Sequence, residues 1–305
     1  MIEKIDVIDG MDVTKPVALD VTLSQLHALR SHAKALHLNA ILKKNRQATD
    51  GRVGVAAGRG LAFREVRSYQ AGDDLRHLDW KVTARRGEPY TRIFHEEQQR
   101  PVMLFVDLAS QLQFGQAGSK AVLAAKIAAV LGWAALQDKD RVGGWIETDQ
   151  QSIWQPLVQQ ARGFSPFLSR LAAITQSLGE LKPRPAGHLD KALEAFARRL
   201  PKDSLVIIIS DWVGWTNSAL LKYLNQHYAL LLVHLIDPLD QNLPSNAGAV
   251  VVQGKVQRVT PALQHAWQAA FLQRVTALKA AVGQKASYLP LSTAADCVAA
   301  RGFFL

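Results

Sequence analysis

A single cysteine in 305 residues, Cys297, rules out an internal disulfide and any multi-cysteine metal site. It suits a reducing compartment, and on its short apolar stretch it reads as a small buried side chain. Long apolar runs are scarce as well. The strongest, Ala121–Leu136, is mostly alanine, contains Lys126 and Gly132, and falls short of the roughly 20 strongly apolar residues of a membrane span. It reads as a buried helix. The opening MIEKIDVIDGMDVTK carries acids where a secretion signal needs a basic and then an apolar run, so a cytoplasmic location is expected. Familiar catalytic motifs are missing too. GRGLAF (Gly58–Phe63) lacks the third glycine of a dinucleotide loop, and FGQAGSK (Phe114–Lys120) lacks the spacing of a phosphate-binding loop. His95, Glu96 and Glu97 resemble the start of a zinc-protease helix, but Gln99 stands where the second histidine belongs. No Gly-x-Ser-x-Gly elbow occurs. These absences point away from an enzyme.

What is present describes a globular chain with a real core: 48% hydrophobic and 20% charged residues. The net charge of +10 favours acidic partners. It is uneven. Residues 41–100 hold 13 Lys and Arg against 8 Asp and Glu, a surplus of 5 and so half of the total.

The chain changes grammar at Pro101. Before it, residues 22–44 read as a helix capped by Thr22 or Ser24, with Leu26, Leu29, Ala33, Leu36 and Ala40 at helical spacing. Four glycines between Gly51 and Gly60 follow, then an irregular, polar, short-stranded region to Arg100. After it, apolar strands at Val102–Val106, Arg141–Ile146, Leu205–Ile209, Ala229–Ile236 and Ser287–Leu291 alternate with helices near 119–137, 164–178, 188–200, 218–226 and 261–282. A two-stranded ribbon is expected around 249–259 and a helix at the end of the chain. Apolar strands alternating with helices predict a doubly wound α/β fold, its mostly parallel sheet covered on both faces. Two domains are expected, 1–100 and 101–305.

Such folds bind ligands outside the carboxyl ends of their strands. Asp107 and Asp211 stand at two of those ends. Paired carboxylates there hold a hard cation such as Mg²⁺, or each simply caps the following turn. His188, ahead of a helix, is either an exposed terminal residue or a neighbour of the carboxylates. The richest string, YQAGDDLRHLDWKVTARRGEPY (Tyr69–Tyr90), sets Asp73, Asp74 and Asp79 against Arg76, Lys81, Arg85 and Arg86 around Trp80. That density of mixed charge builds ion pairs within a small module, or a docking surface. Nucleic-acid binding through 41–100 is a further reading, but acids interrupt the basic charge and stacking aromatics are few.

These residues carry a resemblance. GRGLAFREVRSYQAGDDLRHLDWKVTARRGEPYTRIFHEE (Gly58–Glu97), PVMLFVDLASQLQFG, LVIIISDW, LIDPLDQNLP and the closing LSTAADCVAARGFF are similar to the hallmarks of a bacterial family known as domain of unknown function 58. One departure is Ala62, where the family usually has glutamate. The family resembles von Willebrand factor A domains, which implies that fold here. Its members are commonly encoded beside MoxR-type AAA+ ATPases, which implies a protein partner, such an ATPase or its client. A von Willebrand factor A metal site uses Asp-x-Ser-x-Ser, a threonine and a second aspartate. Asp107 and Asp211 match the two acids, but Ala109 and Gln111 hold the serine positions and His188 the threonine position. Ser110 lies one place off.

The expectation is therefore a non-catalytic adaptor with no cofactor, accessory to a MoxR-type ATPase in assembly or maturation of other proteins. Its interaction candidates are Tyr69, Asp73, Asp74, Arg76, Asp79, Trp80, Arg85, Ser110, His188 and Trp212. The alternatives are a divalent-metal-dependent enzyme or switch using Asp107 and Asp211 with Mg²⁺, and a nucleic-acid binder.

Overall fold

The computed structural model describes residues 7–8, 20–34, 36, 38, 65–70, 78–93, 99–113, 115–177, 185, 187–244, 248–252, 255–283 and 286–294. In chain order the elements are β1 (Val7–Ile8), α1 (Leu23–Ala28), α2 (Arg30–Ala33), β2 (Glu65–Ser68), α3 (Trp80–Arg86), β3 (Tyr90–Ile93), β4 (Pro101–Asp107), α4 (Lys120–Gln137), β5 (Arg141–Glu147) and β6 (Ser152–Val158). Then come α5 (Ala161–Ser177), α6 (His188–Ala197), β7 (Leu205–Ser210), α7 (Ser218–His227), β8 (Ala229–Ile236), α8 (Pro238–Gln241), β9 (Ala249–Val252), β10 (Lys255–Arg258), α9 (Pro261–Val282) and β11 (Ser287–Ser292).

Six strands form the main sheet in the order β11-β8-β7-β4-β5-β6. All neighbours run parallel except β6, which returns antiparallel to β5. Successive strands from β4 grow outward one way and from β7 the other, so strand order reverses between β4 and β7. This is the doubly wound arrangement with an inverted third strand, a von Willebrand factor A-like α/β fold. Central strands β4 and β7 are buried along their whole length, as a parallel sheet covered on both faces requires.

The two faces have separate cores. One holds α4 and α5 over Leu104, Val106, Ile207 and Ile209. The other packs Leu189, Leu193 and Phe196 of α6, Leu221 and Leu224 of α7 and Leu278 of α9 over Phe105, Val206 and Ile208. Fully burying such side chains stabilises by about 1.5–3 kcal/mol each. Helix α4 is capped by Ser119, whose hydroxyl oxygen accepts from the Val122 amide. Among the described residues it alone is long and apolar enough to cross a membrane, yet 83% of it is buried inside the protein. It can lie so close to α5 because of Gly132: a Cβ there would sit 2.2 Å from the Phe164 ring. A second, three-stranded sheet pairs β1 and β10 on either side of β9.

A break falls at the expected residue 100, but the N-terminal segment, expected with the small module, belongs to the other unit. The chain divides into two compact units, 1–53 together with 100–305, and 54–99. The N-terminal helices join the sheet-bearing unit because their apolar residues have no core of their own. Leu26, Ala33, Leu36 and Leu38 are buried in the cluster that contains Trp133. The Trp133 indole N–H donates to the Leu26 carbonyl at 3.0 Å, and the Arg30 guanidinium lies 5.5 Å from that ring. The expected helix over 22–44 is broken at Leu29 into α1 and α2; its distal part lies outside the described residues, as do the expected C-terminal helix and Cys297.

The smaller unit pairs β2 with β3 antiparallel and contains a short helix, α3, where only irregular and stranded structure is expected. Asp79 caps it, its carboxylate accepting from the Lys81 and Val82 amides, and Gly87 closes it at φ +75°. The Arg86 guanidinium donates to the Tyr90 hydroxyl at 3.1 Å.

Candidate functional site at the carboxyl rim of the sheet

The reversal between β4 and β7 opens the rim where the strand-end acids sit. Asp107 closes β4 and is fully buried. One of its oxygens accepts from the Ala109 amide at 3.2 Å and the other from the Ser210 hydroxyl at 2.7 Å. Ser210 closes β7, and its oxygen in turn accepts from the Trp212 amide at 3.0 Å. Asp107 thus reaches across to the neighbouring strand and fixes the turn that carries Asp211.

Asp211 is 3% exposed. It accepts from the Val213 amide at 3.1 Å and the Gln111 side-chain amide at 3.4 Å. Its principal partner is the Lys120 ammonium at 3.1 Å. Lys120 is the first residue of α4 and is only 5% exposed. The same ammonium lies 3.1 Å from Asp240 in α8. Burial alone disfavours the charged lysine, but the Asp240 and Asp211 charges outweigh it and raise its pKa above the ordinary value. Burial likewise disfavours the Asp211 carboxylate, and the Lys120 and Arg274 charges reverse that, holding its pKa below the usual range.

Asp237, buried after β8, clasps the loop before α4. Its carboxylate accepts from the Gln116 and Ala117 amides at 3.0 and 3.3 Å, and from the Thr293 hydroxyl. Gly115 permits that approach, since a Cβ there would stand 2.5 Å from Asp237 Oδ2. On β8, His234 is buried and bonds the Tyr288 hydroxyl at 2.6 Å. Burial and then the Arg274 charge push its pKa down to about 3, and burial pushes Tyr288 up to about 12.

On the other side of the switch, Glu147 ends β5, 2% exposed. It accepts from the Trp145 indole at 2.8 Å and the Ser152 hydroxyl at 2.7 Å. Its second oxygen meets His188 Nε2 at 2.7 Å. His188, the first residue of α6, keeps 26% of its side chain exposed. Two residues on, Asp190 accepts from the Thr216 hydroxyl and amide and the Asn217 amide, tying α6 to the loop after β7. The Ser110 amide donates to Asp149 at 2.8 Å.

Asp107, Ser110, His188, Asp211 and Trp212 therefore all belong to one end of one sheet. Trp212 is not a surface residue there. Its backbone is left-handed (φ +59°), and its fully buried indole donates to the Val233 carbonyl at 3.3 Å. It anchors the loop from beneath. The other candidates belong to the smaller unit. Asp79 is buried as a helix cap, Trp80 is 70% exposed, Arg85 is exposed, and the Tyr69 amide donates to the Pro89 carbonyl. Asp73, Asp74 and Arg76 lie outside the described residues.

A family model described as "Protein of unknown function DUF58" matches residues 65–280. The chain belongs to the DUF58 family. Among curated relatives of this DUF58 chain are uncharacterized proteins of Mycobacterium tuberculosis, Rv1480, and Mycobacterium bovis, Mb1516. Each is 29% identical over 256 residues, covering 81% of this chain and 79% of the relative. Two crystal structures show similarity at low identity. Conserved hypothetical protein BatB from Bacteroides thetaiotaomicron is 14% identical, over 63% of this chain and 90% of its own, with TM-score 0.36. The SpRpn10 VWA domain is 10% identical, over 66% and 92%, with TM-score 0.35. The fold assignment rests on strand order, not on these scores.

The DUF58 rim does not fit the divalent ion that a von Willebrand factor A fold implies. Mg²⁺ demands near-octahedral oxygen ligands at about 2.0–2.1 Å. Ala109 supplies no side-chain oxygen, the Asp107 oxygens face an amide and a hydroxyl, and Asp211 faces an ammonium. Among the described residues no three His, Cys, Asp or Glu side chains gather in a way that could hold a metal.

Sequence reasoning missed Lys120, Glu147, Asp237 and Asp240. One signal was available for Lys120. A cation in the first turn opposes the helix dipole, so a lysine heading an alanine-rich buried helix needs local acids. For Asp237 and Asp240 the signal was the capping-box spacing in DPLD, which the structure forms in full.

Proposed function

We propose that this DUF58 chain is a non-catalytic interaction module that presents the carboxyl rim of its sheet to a protein partner. The observation that carries the reading is the state of the rim's acids. Asp107, Glu147, Asp211, Asp237 and Asp190 are each engaged by at least two protein donors, at least one of them from another segment of the chain. Catalytic acids and bases need a pKa matched to proton transfer and reach to a substrate. Acids saturated by structural donors instead hold loops rigid, and a rigid polar loop surface is what docking rewards. Exposed Gln116, Ala117 and Gln150 and half-exposed His188 supply the outward side chains of that surface.

The partner class that the family resemblance suggests is a MoxR-type AAA+ ATPase, or a client of one, with the adaptor acting in assembly or maturation of other proteins. A purified MoxR-type ATPase from the same organism tests this. The full chain is expected to bind it in an equilibrium titration, and a Gln116→Arg/Ala117→Arg variant to bind at least tenfold more weakly while melting normally. Absence of binding, or equal binding by the variant, would remove the proposal. Mg²⁺-dependent chemistry through Asp107 and Asp211 is disfavoured by the Lys120 contact.

A further inference from the structure

A buried lysine at the head of a helix is costly twice over: it loses water, and it faces the positive pole of the dipole. Here the cost is offset by two carboxylates at 3.1 Å, contributed by two different loops. Asp211 follows β7 and Asp240 follows β8, while Lys120 itself follows β4. One ammonium therefore joins three rim loops. Each acid carries further load. Asp211 receives Gln111 and Val213, and Asp240 receives the Asp237 amide at 2.7 Å. A bound metal ion does the same work in other carboxylate clusters: it is a point of positive charge on which loops converge.

We infer that Lys120 is a tethered cation at the switch point, doing with an ammonium what a divalent ion would do with coordination bonds. The rim loops hold their arrangement without metal. Removing the ammonium leaves Asp211 and Asp240 facing one another without a cation between them, and that pair accepts a divalent ion in its place. The inference concerns the chain alone and stands whether or not the rim docks a partner.

Thermal melting of the full chain with EDTA and with millimolar Mg²⁺ or Mn²⁺ tests it. The wild type is expected to melt at one temperature under all conditions, and a saturable rise with metal would overturn the inference. Lys120→Ala, which strands the buried Asp211 and the part-buried Asp240, is expected to melt about 10 °C lower and to regain part of that loss with Mn²⁺ or Mg²⁺. A Lys120→Ala protein as stable as wild type, or one that folds and ignores metal, would overturn it. Should Lys120→Ala not fold, the neutral set Lys120→Met/Asp211→Asn/Asp240→Asn decides. All three charges leave together, so it is expected to fold, melt near wild type and show no metal response. Failure of that variant to fold would mean that the lysine's charge balance is not what holds the rim.

Discussion

Replacing Gly132 by alanine tests how tightly the helix that carries Lys120 is held. In an open helix interior this change stabilises, by about 1 kcal/mol, because alanine is the better helix former. Here the new methyl would meet the Phe164 ring at 2.2 Å. The ring has little room to yield. It is fully buried, edge-on to Trp133 at 5.2 Å and stacked on Phe167 at 5.6 Å. With the ring held on two sides the cost falls in the upper part of the overpacking range, about 2–3 kcal/mol, so the propensity gain of about 1 kcal/mol is outweighed and a net loss of about 1–2 kcal/mol is expected. At about 2–4 °C per kcal/mol for a unit of this size, Gly132→Ala melts about 2–8 °C below wild type by calorimetry. Adding Phe164→Leu opens space, and the double variant is expected to be more stable than the two single losses sum to, by about 1 kcal/mol. A Gly132→Ala protein as stable as wild type or more so, or strict additivity in the cycle, would show that α4 and α5 are not in the close contact described.

Three further outcomes follow from the rim. Ser210→Ala removes the hydroxyl donor to the buried Asp107 carboxylate and is expected to cost about 1–3 kcal/mol in a urea titration, whereas Ser218→Ala, at an exposed position, changes little. Gly115→Ala pushes a methyl against Asp237 and the Gly118 carbonyl, and faster exchange of the Gln116 and Ala117 amides would register the loosened clasp. His234 has its folded pKa pushed down to about 3, below its unfolded value near 6.5. As pH falls below about 6.5 the unfolded chain takes up a proton that the folded chain refuses, so this contribution is full above pH 6.5 and lost on acidification toward 3. The slope is at most about 1.4 kcal/mol per pH unit. His234→Phe, measured against wild type between pH 7 and 4, is expected to flatten that loss. An unchanged slope would refute it.

The parallel strands were legible because burial on both faces leaves no polar residue in LVIIIS or ALLLVHLI beyond the closing Ser210 and His234. β6 was not. Its sequence, SIWQPLV, includes a proline and lies at the sheet's edge, half exposed and antiparallel, so it lacks the signature of its neighbours. Helix α3 was hidden by its length: seven residues offer too few turns for periodicity, and only the cap at Asp79 marks it. Asp107 and Asp211 were readable as strand ends. Lys120 was not readable as their companion, because Asp211 and Asp240 lie far along the chain and come to it only through strand order. Trp212, next to an acid in a rim loop, looked like a contact residue, and its left-handed backbone turns it inward instead.

Helix α4 has one more consequence, for synthesis. Its apolar sides are covered by α1, α2, β4, β5, α5, β7 and β8, and the last of these ends at Ile236. A ribosome releasing this chain therefore exposes an oily, membrane-length rod while residues 138–236 are still to be made. Until β5, α5, β7 and β8 arrive, part of that rod lacks its native cover and is open to aggregation, a surface that a ribosome-bound chaperone would have reason to hold.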